Sequence, residues 1–248
     1  MPGSQTSSPH PPLSRKEIAP LVGECFHPAR SLGQADLYHL KGEFAGWVLK
    51  DFAKRPLWIR LLVIRRVVRR EARALSALQE LDGVPRLAGC VGLDALVIER
   101  LDAERLPHLG VAHTLDARFF ERLRSLVERM HQRGWAHGDL RRKNILCDQG
   151  FRPYLIDFAT AIYGGPGSGI LRRRIFKHCA RIDLIALARI KASYLPEGLT
   201  AEESELLRGQ PLSLRIGRWL KKKVYRPLKR RHRRKLWRRI KTWIGGSP

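Results

Sequence analysis

The sequence predicts an α+β domain followed by a basic helical tail. Short strand-like runs alternate with long stretches of helical period between residues 43 and 194. A polar loop, Trp135-Ala-His-Gly-Asp-Leu-Arg-Arg-Lys-Asn-Ile-Leu, leads into an apolar hairpin pattern that closes on Leu155-Ile-Asp-Phe-Ala159. Beyond Glu205 there is no acid, and residues 215–241 hold fifteen Lys or Arg in twenty-seven positions.

Taken in order, residues 1–20 are rich in Ser, Pro and Gln and read as a disordered leader without the apolar core of a signal peptide. Glu43 to Phe52 reads as a strand with Lys50 near its end. From Leu57 to Leu81 the texture is helical, with Val67, Val68, Ala72, Leu75 and Leu78 recurring at helical spacing between arginines. Asp82-Gly-Val-Pro is a turn, and Ala95-Leu-Val-Ile-Glu is a buried-strand pattern. Leu115 to Arg133 is a second helix with Phe119, Leu123, Leu126, Val127 and Met130 on one face. Ile145-Leu-Cys and Pro153-Tyr-Leu-Ile form a hairpin around Asp148-Gln-Gly, which sets Asn144 beside Asp157. Ala180 to Tyr194 is a third helix with an embedded acid, Asp183.

Composition bounds the classes of function. With 248 residues the chain holds one two-lobed domain or two small ones, and its 44% hydrophobic residues suffice for a core. The net charge of +25 implies a polyanionic partner: nucleic acid, an anionic membrane face or a phosphorylated glycan. Cys25, Cys90, Cys147 and Cys179 are scattered without a C-x-x-C pair, which argues against zinc and a disulfide framework and for a reducing cytoplasm. No run of 18 uncharged apolar residues exists to span a bilayer.

The chemistry lies in the polar loop. Asp139 and Asn144 stand five residues apart, and Asp157 follows thirteen residues later. Transfer of a phosphoryl group to a hydroxyl needs one carboxylate to orient the attacking hydroxyl. It also needs an amide and a second carboxylate to hold Mg²⁺ against the phosphates. An H-x-D-x4-N segment followed by D-F-x has that order.

On these residues the chain resembles the protein-kinase-like superfamily over roughly residues 30–195, and within it the compact bacterial lipopolysaccharide kinases that phosphorylate core sugars. The resemblance implies a two-lobed protein-kinase-like fold with a reduced C-lobe. Residues 21–100 would form the nucleotide-binding N-lobe, 101–205 the C-lobe and 206–248 the basic amphipathic tail. It implies ATP and Mg²⁺ as cofactors. Asp139 then matches the catalytic-loop carboxylate, and Arg141 the cation beside the transferred phosphate. Asn144 and Asp157 match the metal ligands, and Lys50 the strand lysine that pairs with the phosphates. Glu71 is its expected helix partner, with Glu80 as the fallback, and Gly33 in Ser31-Leu-Gly-Gln-Ala-Asp is what remains of the nucleotide-covering glycine loop. Arg142 and Lys143 read as a solvated basic turn, Asp183 as a brace for the catalytic loop, and His137 and Phe158 as packing residues.

Three departures qualify the resemblance. Gly138 stands where loop-regulated protein kinases carry an arginine, Ala159 replaces the last glycine of D-F-G, and only Tyr163-Gly-Gly-Pro-Gly-Ser-Gly precedes the next helix. Together they point away from switching by loop phosphorylation.

The tail reads as two amphipathic helices broken at Pro227. Ile216, Trp219, Leu220 and Val224 share one face of the first, and Leu236, Trp237, Ile240, Trp243 and Ile244 one face of the second. A cationic helix with a Trp- and Leu-bearing face suits an anionic membrane surface, with residues 215–244 as the contact. Nucleic acid and packing on the chain's own lobe remain as the other occupants. Three functions therefore stand open. The first is a lipopolysaccharide core-sugar kinase, peripheral on the inner face of the cytoplasmic membrane. The others are an atypical, RNA-associated protein serine/threonine kinase and an inactive kinase-fold adaptor.

Overall fold

In the computed structural model, which describes residues 13–106 and 115–209, five short segments with alternating apolar residues close one antiparallel sheet. They are β1 (Val22–His27), β2 (Asp36–Leu40), β3 (Trp47–Asp51), β4 (Leu87–Val91) and β5 (Ala95–Glu99), in the order β1-β2-β3-β5-β4. The register sets Lys50 opposite Leu37 on one side and Leu96 on the other, so the lysine sits in the middle of the sheet. Strand alternation divides β5. Leu96 joins the main core, while Ala95 and Val97 join a second cluster with Ile18, Leu40, Leu49 and Val91 on the opposite face.

Helical structure runs without a break from α2 (Leu57–Ile59) through one π turn, Arg60–Ile64, into α3 (Arg65–Leu78). Val68, Ala72, Leu75 and Leu78 bury the inner face of α3. The second lobe is built on α4 (Ala117–Gln132), capped by the Asp116 carboxylate accepting from the Phe119 N–H at 2.9 Å. It buries Phe119, Phe120, Leu123, Leu126, Val127 and Met130, the face expected from spacing with Phe120 added. Two small antiparallel sheets lie beside it: β6 (Glu104–Arg105), β8 (Ile145–Cys147) and β9 (Pro153–Leu155), and the pair β7 (Trp135–Ala136) with β10 (Ile162–Tyr163). The predicted turn at Gly83 ties the sheet lobe to this one. Its φ is +99°, a Cβ there would lie 2.7 Å from the Pro153 carbonyl oxygen, and its own carbonyl accepts the Leu155 N–H at 2.7 Å. Only glycine satisfies both conditions.

Several boundaries differ from the sequence reading. The leader expected over residues 1–20 is folded from Leu13 onward. Ser14 caps α1 (Arg15–Ile18) with a full capping box, and Leu13 bridges Val91 at the sheet. Arg15 reaches Asp51 at 2.8 Å and Asp94 at 2.6 Å, while Ile18 is 2% exposed. Burying such a side chain is worth about 1.5–3 kcal/mol, enough to dock a segment whose composition alone reads as disordered. The strand expected from Glu43 starts at Trp47, because Gly42–Phe44 wind into a 3₁₀ turn. The third helix, expected from Ala180, is α5 (Ile170–Tyr194) and begins immediately after Gly169. Ile170 and Leu171 are exposed at its start, which removes the apolar period that would have announced it.

The chain divides into two compact units between Leu199 and Thr200. In the second unit, Thr200 and Glu203 form the capping box of α6 (Ala201–Arg208), so the boundary expected at residue 206 falls inside a helix. The tail's two predicted helices lie outside the described residues. Among the described residues no helix is long and apolar enough to cross a membrane.

Candidate active site

Three elements converge on Lys50. β3 presents its ammonium, α3 contributes Glu71, and the end of the β8–β9 hairpin contributes Asp157. Lys50 Nζ lies 2.8 Å from Glu71 Oε2 and 3.1 Å from Asp157 Oδ1. Glu71 is 1% exposed, whereas the fallback Glu80 is on the surface near Arg133. Burial by itself would lower the lysine's pKa, but the two carboxylates outweigh it and push the pKa up to about 12. Burial also lifts the Glu71 carboxyl above the ordinary range, against the opposing pull of Lys50. For Asp157 the balance runs the other way. Burial alone would raise it, but Lys50 and then Lys143 outweigh burial and hold it below the usual carboxylate value, so it is an anion at neutral pH.

The catalytic loop is held from beneath by Asp183. This fully buried carboxylate on α5 accepts the His137 N–H at 2.7 Å and the Gly138 N–H at 3.0 Å, and contacts His131 Nε2 at 3.2 Å. The bracing read from sequence is therefore present. His137 Nδ1 faces the Asp139 N–H at 3.4 Å and its Nε2 faces the Ile156 carbonyl at 3.1 Å, a pattern that assigns the ring proton to Nε2. His137 and Phe158 are both fully buried, with ring centroids 5.0 Å apart, as packing residues should be.

Gly138 has φ +75°, and a Cβ there would lie 2.8 Å from the Thr160 carbonyl oxygen. The glycine is thus required by the backbone, apart from any question of regulation. Gly138→Ala is expected to cost about 1–2 kcal/mol for the left-handed conformation alone, with a further penalty from the contact. Thermal unfolding of the variant beside the parent measures it, and an unchanged midpoint would contradict the assigned conformation.

The hairpin does what its sequence promised. Pairing of Ile145 with Leu155 and the Ile156 N–H bond to the Asn144 carbonyl at 3.0 Å bring Asn144 next to the Asp157 segment. Asn144 is buried and its side-chain amide donates to the Asp139 carbonyl at 2.9 Å, which leaves its oxygen available. Asp157 adopts φ +69°, ψ +66°, a conformation rare for a non-glycine residue and held only where the surroundings enforce it. Asp139 carries Arg141 on its carboxylate at 2.5 Å, both partly open to solvent.

Between the lobes of the first unit lies a cavity of about 490 Å³, lined by Gly33, Lys50, Glu71, Lys143, Asn144, Asp157 and Ala159 among others. Asp139 and Arg141 are not part of that lining. Lys143, read as a solvated turn residue, does face it. The sequence reading also missed Phe26 and His39, which stack at 4.1 Å and line the cavity. It missed Asp36 as well, a buried acid that accepts the Ala29 N–H at 2.8 Å and meets Arg55 at 2.9 Å, closing the loop that carries Gly33. An acid directly following a reduced glycine loop was the only available signal.

Residues 51–168 match the family model of the RIO domain, an atypical protein-kinase-like family. The matched stretch opens immediately after Lys50 and contains Glu71, Asp139, Asn144 and Asp157. The middle of the chain is thus similar to a RIO domain. A search of curated proteins finds no match. The α+β architecture with its antiparallel sheet agrees with this assignment, and the chain is a phosphotransferase that uses ATP and Mg²⁺.

The residues lining the cavity fit those cofactors. The cavity volume falls within the span of about 300–1,000 Å³ usual for small-molecule pockets. One anionic carboxylate and one amide oxygen are the few hard oxygen donors that Mg²⁺ takes from protein when phosphates supply others.

Proposed function

We propose that the chain is an ATP- and Mg²⁺-dependent kinase that transfers the γ-phosphoryl group to a hydroxyl of a lipopolysaccharide core sugar at the inner face of the cytoplasmic membrane. The observation that carries the reaction type is the position of Lys50, joined at once to Glu71 and Asp157 above a catalytic loop braced by Asp183. Bound Mg-ATP supplies the electrophilic phosphoryl group and neutralises much of its charge. Lys50 orients phosphate oxygens from its fixed position, and Asn144 and Asp157 offer the metal-facing oxygens. Gly33 lets the covering loop approach. Asp139 accepts the acceptor's hydroxyl proton, and Arg141, beside it, offsets negative charge on the transferred group.

The acceptor is argued from the connection behind the metal-facing acid. Six residues, 164–169, join β10 to α5, which leaves little chain to cradle an extended peptide. The basic, Trp-bearing composition of residues 215–244 supports an anionic membrane surface as the working location. The RIO-domain match favours a second reading, a protein serine or threonine hydroxyl as acceptor. The discriminating measurement is incubation with labelled ATP, Mg²⁺ and either lipopolysaccharide precursor or a generic protein substrate. Label entering the glycolipid is the expected result; label entering protein alone would replace the first acceptor with the second.

A further inference from the structure

The helical run that delivers Glu71 to the cleft has an outer face the cleft does not use. Leu57 and Trp58 are 62% and 63% exposed, and Leu61, Leu62 and Val63 are exposed beside them. One to three turns further on, Arg66, Arg69, Arg70 and Arg73 are exposed as well. The core side is formed by Ile59, Ile64, Val68, Ala72 and Leu75. Ile59 and Ile64 are five residues apart, more than one α-helical turn. The π turn Arg60–Ile64 absorbs the extra residue and returns Ile64 to the core, which leaves Leu61, Leu62 and Val63 facing outward together. The only acid between residues 57 and 79 is Glu71, which is buried against Lys50. The face is therefore apolar at one end, cationic at the other and free of exposed carboxylates.

We propose that this face, Leu57 to Arg73, docks on an anionic lipid bilayer, with Trp58, Leu61 and Leu62 in the headgroup–acyl boundary and the arginines on the lipid phosphates. Contiguous exposed apolar side chains mark interaction surfaces, and the chemistry of these selects the partner. Four aliphatic side chains have no counterpart on a nucleic-acid backbone, whereas aliphatic residues with a Trp and a basic flank match the membrane interface. A second copy of the chain would bring one arginine row against another in a two-fold contact. Arg60 is not part of the contact, since its guanidinium is held by Asp94. The Lys50–Glu71 pair is already formed, so docking requires no rearrangement of the cleft. The inference is independent of the acceptor's identity.

The test uses the full chain and vesicles of phosphatidylglycerol with phosphatidylcholine, beside vesicles of phosphatidylcholine alone. The double variant Leu61→Ser/Leu62→Ser is expected to bind the anionic vesicles about tenfold more weakly while keeping its thermal midpoint and ATP turnover. Brominated lipids are expected to quench the parent's fluorescence, and Trp58→Phe, which preserves the fold, to remove part of that quenching. Equal partitioning of the double variant and parent would overturn the proposal. So would equal binding of the parent to both vesicle types, or quenching untouched by Trp58→Phe. A parent that sediments as a dimer and a double variant that sediments as a monomer would assign the face to self-association instead.

Discussion

Asp139→Asn is expected to lower phosphoryl transfer by about 10²–10⁴-fold, the usual contribution of a positioned general base. Nucleotide affinity should stay close to the parent's, because Asp139 does not line the nucleotide cavity. The fold should be unaffected for three reasons. Asn has the same shape as Asp. The Asp139 carbonyl that accepts from Asn144 at 2.9 Å belongs to the backbone. The lost ion pair with Arg141 is 36% exposed on the aspartate side and 43% on the arginine side, and such pairs contribute little to stability. Single-turnover transfer measured beside nucleotide titration separates these terms. Parent-like transfer by the variant would remove Asp139 from the chemistry and revive the adaptor reading.

Lys50→Met is expected to abolish activity and also to destabilise the protein by about 3–5 kcal/mol at neutral pH, since it leaves the Glu71 carboxylate buried without its cation. The pH dependence has a definite sign. In the parent, burial already lifts the Glu71 carboxyl, and without Lys50 the lift increases. A carboxyl whose folded pKa is raised favours folding while protonated in both states. That contribution is lost as pH rises from the ordinary carboxylate range through the folded value. The penalty of Lys50→Met should therefore shrink on acidification and be largest at neutral pH. Lys50→Met/Glu71→Gln should recover much of the stability and none of the activity. Chemical denaturation at two pH values, with transfer assays on both variants, tests all of this. A single variant as stable as the parent at neutral pH would mean that Glu71 is not the buried partner.

The candidate site was legible because phosphoryl-transfer chemistry places few, chemically distinct groups at short spacing around one loop. Asp139, Asn144 and Asp157 lie within one loop and its hairpin, and the hairpin places the latter two by local pairing alone. Lys50 and Glu71 were found at longer range because Glu71 is the only acid in its helix. Asp36, Phe26 and His39 were not found. They owe their positions to register between β1 and β2, and β1 carries a shifted register that no alternation pattern reveals. Residues 13–20 depart from the expected leader for a related reason, while residues 1–12 lie outside the described residues. Arg15 draws its anchorage from Asp51 and Asp94, 36 and 79 residues away, and composition carries no information about partners at that distance.

The sequence by itself determined the reaction type, since an aspartate, an asparagine and a second aspartate at these intervals are interpretable without coordinates. Tertiary structure decided what backbone and burial impose. Gly138 is a conformational necessity under the Thr160 carbonyl, and Lys50 holds two carboxylates at once. The π turn that presents Leu61–Val63 to solvent also exists only in three dimensions. Residue types announce chemistry, because chemistry depends on functional groups. Strain, register and exposure depend on which distant segments meet, and only the folded chain brings them together.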